Sequence, residues 1–273
     1  MLAFSSYIDS HFHLPCCTKN LLESSFVLLE KQKYYACTCS HAIDEFFLQE
    51  KLIAEYSKNI NARNTNKKND IHFVSSFGMH PQLPLTENAD FMENLLQEKR
   101  ITCIGEIGFD NFLVFRENEK AQEEAWHICL ELSIKYNVPI VVHCRKAMNK
   151  IFRDVKLLSK IPSVIFHSFM GSPLDARSLL NKNVNAYFSF GNPLIMGDKS
   201  ARSCIKDLPL TRLLLETDSP YQCLRGELET RLDAIFRVYE TAFSIRENED
   251  TEQFSKTLFT NFKNAFAISL ECL

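Results

Sequence analysis

Short runs of apolar, β-branched and aromatic residues recur along the chain at 7–12 (YIDSHF), 34–40 (YYACTCS), 71–78 (IHFVSSFG), 101–108 (ITCIGEIG), 139–144 (PIVVHC), 163–169 (SVIFHSF), 185–191 (NAYFSFG) and 212–218 (RLLLETD). The apolar residues are consecutive rather than alternate, which is the pattern of parallel strands buried on both faces. Segments of helical period lie between them. In 118–136, Ala121, Ala125, Ile128, Cys129, Leu132 and Ile134 fall mostly on one face. Strand and helix alternating eight times predict an α/β fold of the (β/α)8 barrel type, and the count of eight is what separates it from a doubly wound open sheet. Beyond the eighth strand, 228–243 and 251–270 read as a closing helix and one appended C-terminal helix. No repeat or linker divides the chain, so residues 1–273 are expected to form one domain.

Composition narrows the partners. Lys and Arg number 31 against 34 Asp and Glu, a net charge of −3, so no global positive field attracts nucleic acid. Any attraction to phosphate has to be local or carried by a metal. The basic interval 58–70 (KNINARNTNKKND) follows a helix and precedes the third strand. That places Lys58, Arg63, Lys67 and Lys68 on the barrel face away from the loops that build barrel active sites, as a solvated loop rather than a binding patch. The ten cysteines form no CxxC pair and follow no leading signal sequence, which implies reduced thiols and a cytoplasmic protein. Cys37, Cys103 and Cys144 sit in apolar runs and are expected to pack as small hydrophobes. No apolar stretch reaches the length of a membrane span.

The informative positions are those where the strands stop being apolar. The first ends in Asp9-Ser-His11-Phe-His13, the third in Gly78-Met-His80-Pro81, and the fourth in Gly105-Glu106-Ile-Gly108-Phe-Asp110. The fifth ends in His143-Cys-Arg145, the sixth in His167-Ser168, and the eighth in Glu216-Thr-Asp218-Ser-Pro220. Charges at an apolar barrel mouth cost several kcal/mol each, roughly, unless they are paired or bind a metal. His11 and His13 share a strand face because the side-chain period is two. Each histidine taken singly is as well explained by a backbone bond in the core, and Asp218 by a helix cap before Ser219-Pro220. Taken together, four histidines and two carboxylates at the same ends of five strands point to a metal site. Imidazole with carboxylate suits Zn, Mn, Fe or Ni better than Ca, whereas Mg needs more oxygen ligands.

The segments DSHFHL (9–14), GMHP (78–81), IGEIGFD (104–110), PIVVHCRKA (139–147), FHSFMGS (166–172) and LLLETDSPY (213–221) resemble, in order and spacing, the TatD family of metal-dependent deoxyribonucleases, within the metal-dependent hydrolase superfamily of TIM barrels. The resemblance implies two divalent ions, Zn, Mg or Mn. His11, His13, Glu106 and Asp218 would hold one, and Glu106, His143 and His167 the other. It implies Asp218 as the group that takes a proton from the attacking water, with Glu106 shared between the ions. His80 and Arg145 would contact phosphate. The implied activity is hydrolysis of DNA phosphodiesters, from 3′ ends of single strands. Three positions depart from the family: Ser168 replaces its usual cysteine, Lys146 its frequent acidic residue, and after Tyr221 only Arg225-Gly226 matches a longer basic run. Two other readings share these residues: an amide or ester hydrolase with the same centre, and a metal-binding scaffold without catalysis.

Overall fold

The computed structural model describes residues 4–63, 71–247 and 249–268, leaving aside the side chains of 59–63. Eight parallel strands, β1 (Tyr7–Phe12), β2 (Tyr34–Ser40), β3 (Ile71–Phe77), β4 (Cys103–Asp110), β5 (Ile140–Arg145), β6 (Val164–Phe166), β7 (Ala186–Phe190) and β8 (Leu213–Leu215), pair in chain order around a TIM barrel. Helices α1 (Lys19–Leu29), α2 (Ile43–Arg63), α3 (Ala89–Gln97), α4 (Glu119–Tyr136), α5 (Met148–Arg153), α6 (Val155–Leu158), α7 (Pro173–Asn181), α8 (Lys199–Asp207), α9 (Ile235–Ile245) and α10 (Thr251–Ala265) surround it. Every residue of β1, β2 and β4 is buried, as the unbroken apolar runs require of strands covered on both faces.

Two irregularities in strand pairing bear on function. Register shifts between Asp9 and Phe12 in the β1–β2 pair, and between Ile104 and Ile107 in the β4–β5 pair. The displaced residues include His11 and Glu106. A bulge re-aims the side chains at its site, and here both bulges fall where the strands carry ionisable groups. The seam between the first and last strands is sewn just beyond β8. The Asp218 N–H donates to the His11 carbonyl at 3.0 Å, and the His13 N–H donates to the Ser219 carbonyl at 2.7 Å. Closing the barrel therefore brings His11, His13 and Asp218 together.

The C-terminal part departs from the sequence reading. Residues 228–231 are irregular and 232–234 form a single 3-10 turn, so the closing helix is shorter than expected. Leu232 and Ala234, which continue the apolar period, are buried as part of that turn. The appended helix is present as α10, capped by the Asp250 carboxylate accepting from Gln253 N–H at 2.9 Å. Phe254 on α10 packs against Phe4, Tyr239 and Phe243, closing the barrel beneath β1. Of the basic interval, 58–63 continue α2 rather than forming loop, and 64–70 lie outside the described residues. Cys37 and Cys103 are buried as expected, but Cys144 is only half-buried. No helix among the described residues is long and apolar enough to cross a membrane.

Candidate metal centre

Glu106 stands at the middle of the site. It is almost fully buried in a bulge of β4, and its two oxygens face different groups of histidines. Two glycines make this placement possible. A Cβ on Gly78 would lie 2.6–2.8 Å from the backbone of Gly105 and Glu106, and one on Gly108 would lie 2.1 Å from the His143 carbonyl oxygen. Strands 3, 4 and 5 can approach this closely only where those side chains are hydrogen.

On one side, Glu106 Oε2 meets His11 Nε2 at 3.3 Å and His13 Nε2 at 3.7 Å. Asp218 Oδ1 stands 3.5 Å from His11 Nε2 and 3.4 Å from His13 Nε2, and the two imidazole nitrogens are 3.1 Å apart. A regular tetrahedron with edges near that 3.4 Å has its centre about 2.1 Å from each corner, which is the Zn–N bond length. His11, His13 and Glu106 offer donor atoms close enough together to hold a metal ion, and Asp218 Oδ1 stands beside both imidazoles. Asp218 reaches its position from a backbone φ of +54°, in the left-handed region where Asp is better tolerated than most residues. No helix follows it, so the capping alternative is not realised.

On the other side, Glu106 Oε1 meets His143 Nδ1 at 2.6 Å and His167 Nε2 at 2.7 Å, with the two nitrogens 3.3 Å apart. This trio too offers donor atoms close enough together to hold a metal ion. Each histidine is backed by a carboxylate. His143 Nε2 lies 3.2 Å from Asp110 Oδ2, and His167 Nδ1 lies 3.5 Å from Glu216 Oε1, which also accepts from the Ser168 N–H at 2.7 Å. A carboxylate behind a ligating imidazole sets its tautomer and orientation.

The electrostatics favour cations. Burial alone would raise the Glu106 carboxyl, but the imidazoles of His167, His80 and His11 hold it well below the usual range. The same contest lowers Asp218, where burial is outweighed by His13, His167 and His11. Burial opposes charge on His167, yet Glu106 and then Glu216 raise it well above an ordinary imidazole. Anionic oxygens and imidazoles thus stabilise one another in a place that water barely reaches.

All six residues expected to ligate converge. Of the two expected to contact phosphate, His80 is in the cluster itself, with Nε2 3.3 Å from Glu106 Oε1. Arg145 lies at the rim, half exposed, stacked 4.2 Å over Phe112 and 4.0 Å from Asp110. The sequence reading missed four residues. His41, beyond β2, packs its ring 4.7 Å from His80 and 5.2 Å from His13, and neither of its nitrogens has a hydrogen-bond partner. Its signal was a histidine ending the second strand, as in the other strands. Asp110 and Glu216 were visible at strand ends, but their place behind a histidine was not. Gln222 carried no signal; its Nε2 donates to Asp218 Oδ2 at 2.6 Å and to Ser168 Oγ at 2.8 Å.

The centre opens into a cleft of about 860 Å³. Arg145, His80, Gln82, Met170, Phe190 and Met196 are among the residues that line it, and among the described residues no lysine does.

The TatD related DNase family pattern matches residues 8–267. The chain is 31% identical over 234 residues to an uncharacterized metal-dependent hydrolase of Buchnera aphidicola, covering 78% of this chain and 81% of that one. It is 29% identical over 152 residues to a 3′-5′ ssDNA/RNA exonuclease TatD of Pantoea ananatis, covering 54% of this chain and 58% of that protein. Among solved structures, a hydrolase of the TatD family from Entamoeba histolytica superposes with a TM-score of 0.76 at 18% identity, over 98% of this chain and all of the other.

Proposed function

This chain belongs to the TatD related DNase family, and on that premise we propose that it is a two-metal phosphodiesterase that removes nucleotides from the 3′ ends of single-stranded DNA. The observation that carries the reading is the division of Glu106, with Oε2 toward His11 and His13 and Oε1 toward His143 and His167. His11, His13, Glu106 and Asp218 would hold one ion, and Glu106, His143 and His167 the other. When bound, two such divalent ions would lower the pKa of a water and neutralise charge on both the attacking and the leaving oxygen of a phosphate diester.

The chain's own groups do the rest. Asp218 presents Oδ1 to His11 and His13, while Oδ2 is held by Gln222. Gln222 thereby fixes the carboxylate that takes the proton of the attacking water. His80 and Arg145 face the cleft from the side of β3 and β5 and contact the phosphate. Buried walls of Phe169 and Phe190 exclude water from one flank. The reading includes a cytoplasmic location, supported by nine described cysteines that are all free.

The test is direct. Purified protein is analysed for bound metal and assayed on end-labelled single-stranded oligonucleotides with Mg²⁺, Mn²⁺ or Zn²⁺. Stepwise shortening from the 3′ end, abolished in Asp218→Asn and Glu106→Ala, is the expected result. A folded protein that leaves DNA intact under all three metals would overturn it. Hydrolysis of simple esters in its place would favour the carbonyl-directed alternative.

A further inference from the structure

Seven strands bring a titratable group to the barrel mouth at or just beyond their C-terminal ends, now that His41 is counted for β2. β7 does not. From Ala186 to Gly197 the chain contains no Asp, Glu, Lys, Arg or His, and the loop after β7 offers Phe190, Pro193 and Met196 to the cleft; Asp198, which follows and also lines it, is engaged as the cap of α8, accepting from the Ala201 N–H. The neighbouring loop after β6 adds Phe169 and Met170 directly after the ligand-bearing His167-Ser168. Phe169 and Phe190 are buried and form the floor of this sector, whereas Met170 is 63% and Met196 57% exposed. Together with the two buried rings they make a contiguous apolar face on the cleft, the kind of patch that marks a ligand-binding groove.

The cations of the cleft narrow what that ligand is. Among the described residues Arg145 is the only Lys or Arg lining the cleft, with its guanidinium over Phe112, a ring it shares with Lys146. One lining cation and one apolar sector, beside a centre suited to a phosphate diester, match a ligand with a single anionic group joined to a flat apolar one. A run of phosphates gripped along a basic groove would need a row of cations. The cleft volume of about 860 Å³ lies within the range of sites for one small organic ligand.

We propose that the sector formed by Phe169, Met170, Phe190, Pro193 and Met196 is a nucleobase subsite, which receives the base of the nucleotide being released while Arg145 holds its phosphate. This rests on the phosphodiesterase reading and specifies how that site selects its substrate. Met170 and Met196 supply polarisable thioethers that pack against any base face, so the subsite discriminates nucleotide from base-free sugar phosphate rather than one base from another.

The experiment compares two end-labelled oligonucleotides that differ only in the 3′-terminal unit, one a normal nucleotide and the other an abasic tetrahydrofuran residue. Wild-type protein is expected to show a KM about tenfold lower for the base-bearing strand, in line with stacking worth about 1–3 kcal/mol per base. Met170→Ala and Met196→Ala are expected to raise that KM severalfold toward the abasic value, leaving kcat, metal content and the abasic KM unchanged. Met196→Leu, which keeps the apolar area, should restore the preference. Anisotropy of the same labelled strands carrying a non-hydrolysable 3′-terminal linkage reads the binding difference on metal-loaded wild-type protein without turnover. Equal KM and equal binding for both strands would overturn the subsite while leaving the nuclease reading intact. Cleavage of neither strand by folded, metal-loaded protein would overturn both.

Discussion

Gly108 lies so close beneath His143 that a Cβ built on it falls 2.1 Å from the His143 carbonyl oxygen, at a φ of +133°. Both the contact and the conformation oppose any side chain. Gly108→Ala is expected to destabilise the protein by about 3 kcal/mol, combining overpacking of about 1–3 kcal/mol with backbone strain of similar size. For a chain of this length that lowers Tm by roughly 6–12 °C. Gly226, at φ +90° with nothing within 4 Å of its would-be Cβ, separates the two causes. Gly226→Ala should cost only about 1 kcal/mol. Thermal unfolding followed by circular dichroism measures both, and equal losses would show that the contact under His143 is not what requires glycine.

That contact also marks where sequence reasoning reached its limit. The eight strands were legible because parallel strands buried on both faces leave consecutive apolar runs, and the cluster of histidines and carboxylates was legible because its members end those runs. What a linear pattern does not carry is the direction of a side chain once pairing slips. The bulges at His11 and Glu106 depend on how neighbouring strands register, and Asp110 and Glu216 gain their meaning from the histidines in front of them. The 3-10 turn at Leu232–Ala234 was hidden for a similar reason, since buried residues at helical spacing serve a single turn as well as a helix.

Because Glu106 faces both sets of nitrogens, its loss should empty both positions, whereas loss of one histidine should empty one. Elemental analysis of dialysed protein is expected to find about two ions per chain in the wild type, following the two donor sets. Fewer than one is expected in Glu106→Gln, and about one in His143→Ala. Equal occupancy in Glu106→Gln and His143→Ala would show that Glu106 does not bridge. Circular dichroism confirms that each variant is folded.

On the two-ion reading, Asp110, 3.2 Å from His143 Nε2, orients that imidazole from behind without touching the ion. Asp110→Asn is expected to weaken binding at the second position about 10–100-fold, leaving the first position filled; competition with a chromogenic chelator reads the difference. The carboxylate also contributes to stability. Burial would raise its pKa, but bonds from His143, Gln82 and the Phe112 N–H hold it below the usual range. A depressed folded pKa means that the contribution is complete above the unfolded value of about 3.9 and is lost as pH falls below it. The stability gap between wild type and Asp110→Asn should therefore shrink below about pH 4, and it should also narrow as pH rises above neutrality, because Asp110 is the foremost group raising the His143 imidazole and that part is lost when the ring deprotonates. A gap that widens in that acid range would contradict the assignment.

Metal should also be visible as stability. An ion that binds the folded cluster and not the unfolded chain adds about 2.7 kcal/mol when present at 100 times its Kd. For this length that corresponds to roughly 5–10 °C in Tm per ion. Saturating Zn²⁺ or Mn²⁺ is thus expected to raise the Tm of EDTA-treated protein by about 10–20 °C, with His143→Ala showing about half that shift and Glu106→Gln almost none. The shift should diminish as pH falls from 7.5 to 5.5, because ligating imidazoles such as His11, His143 and His167 must give up protons. Scanning calorimetry across that range reads both effects. A metal-induced shift of the same size in Glu106→Gln would place the stabilising ion elsewhere on the chain, and one that grows in acid would exclude imidazole as its ligand.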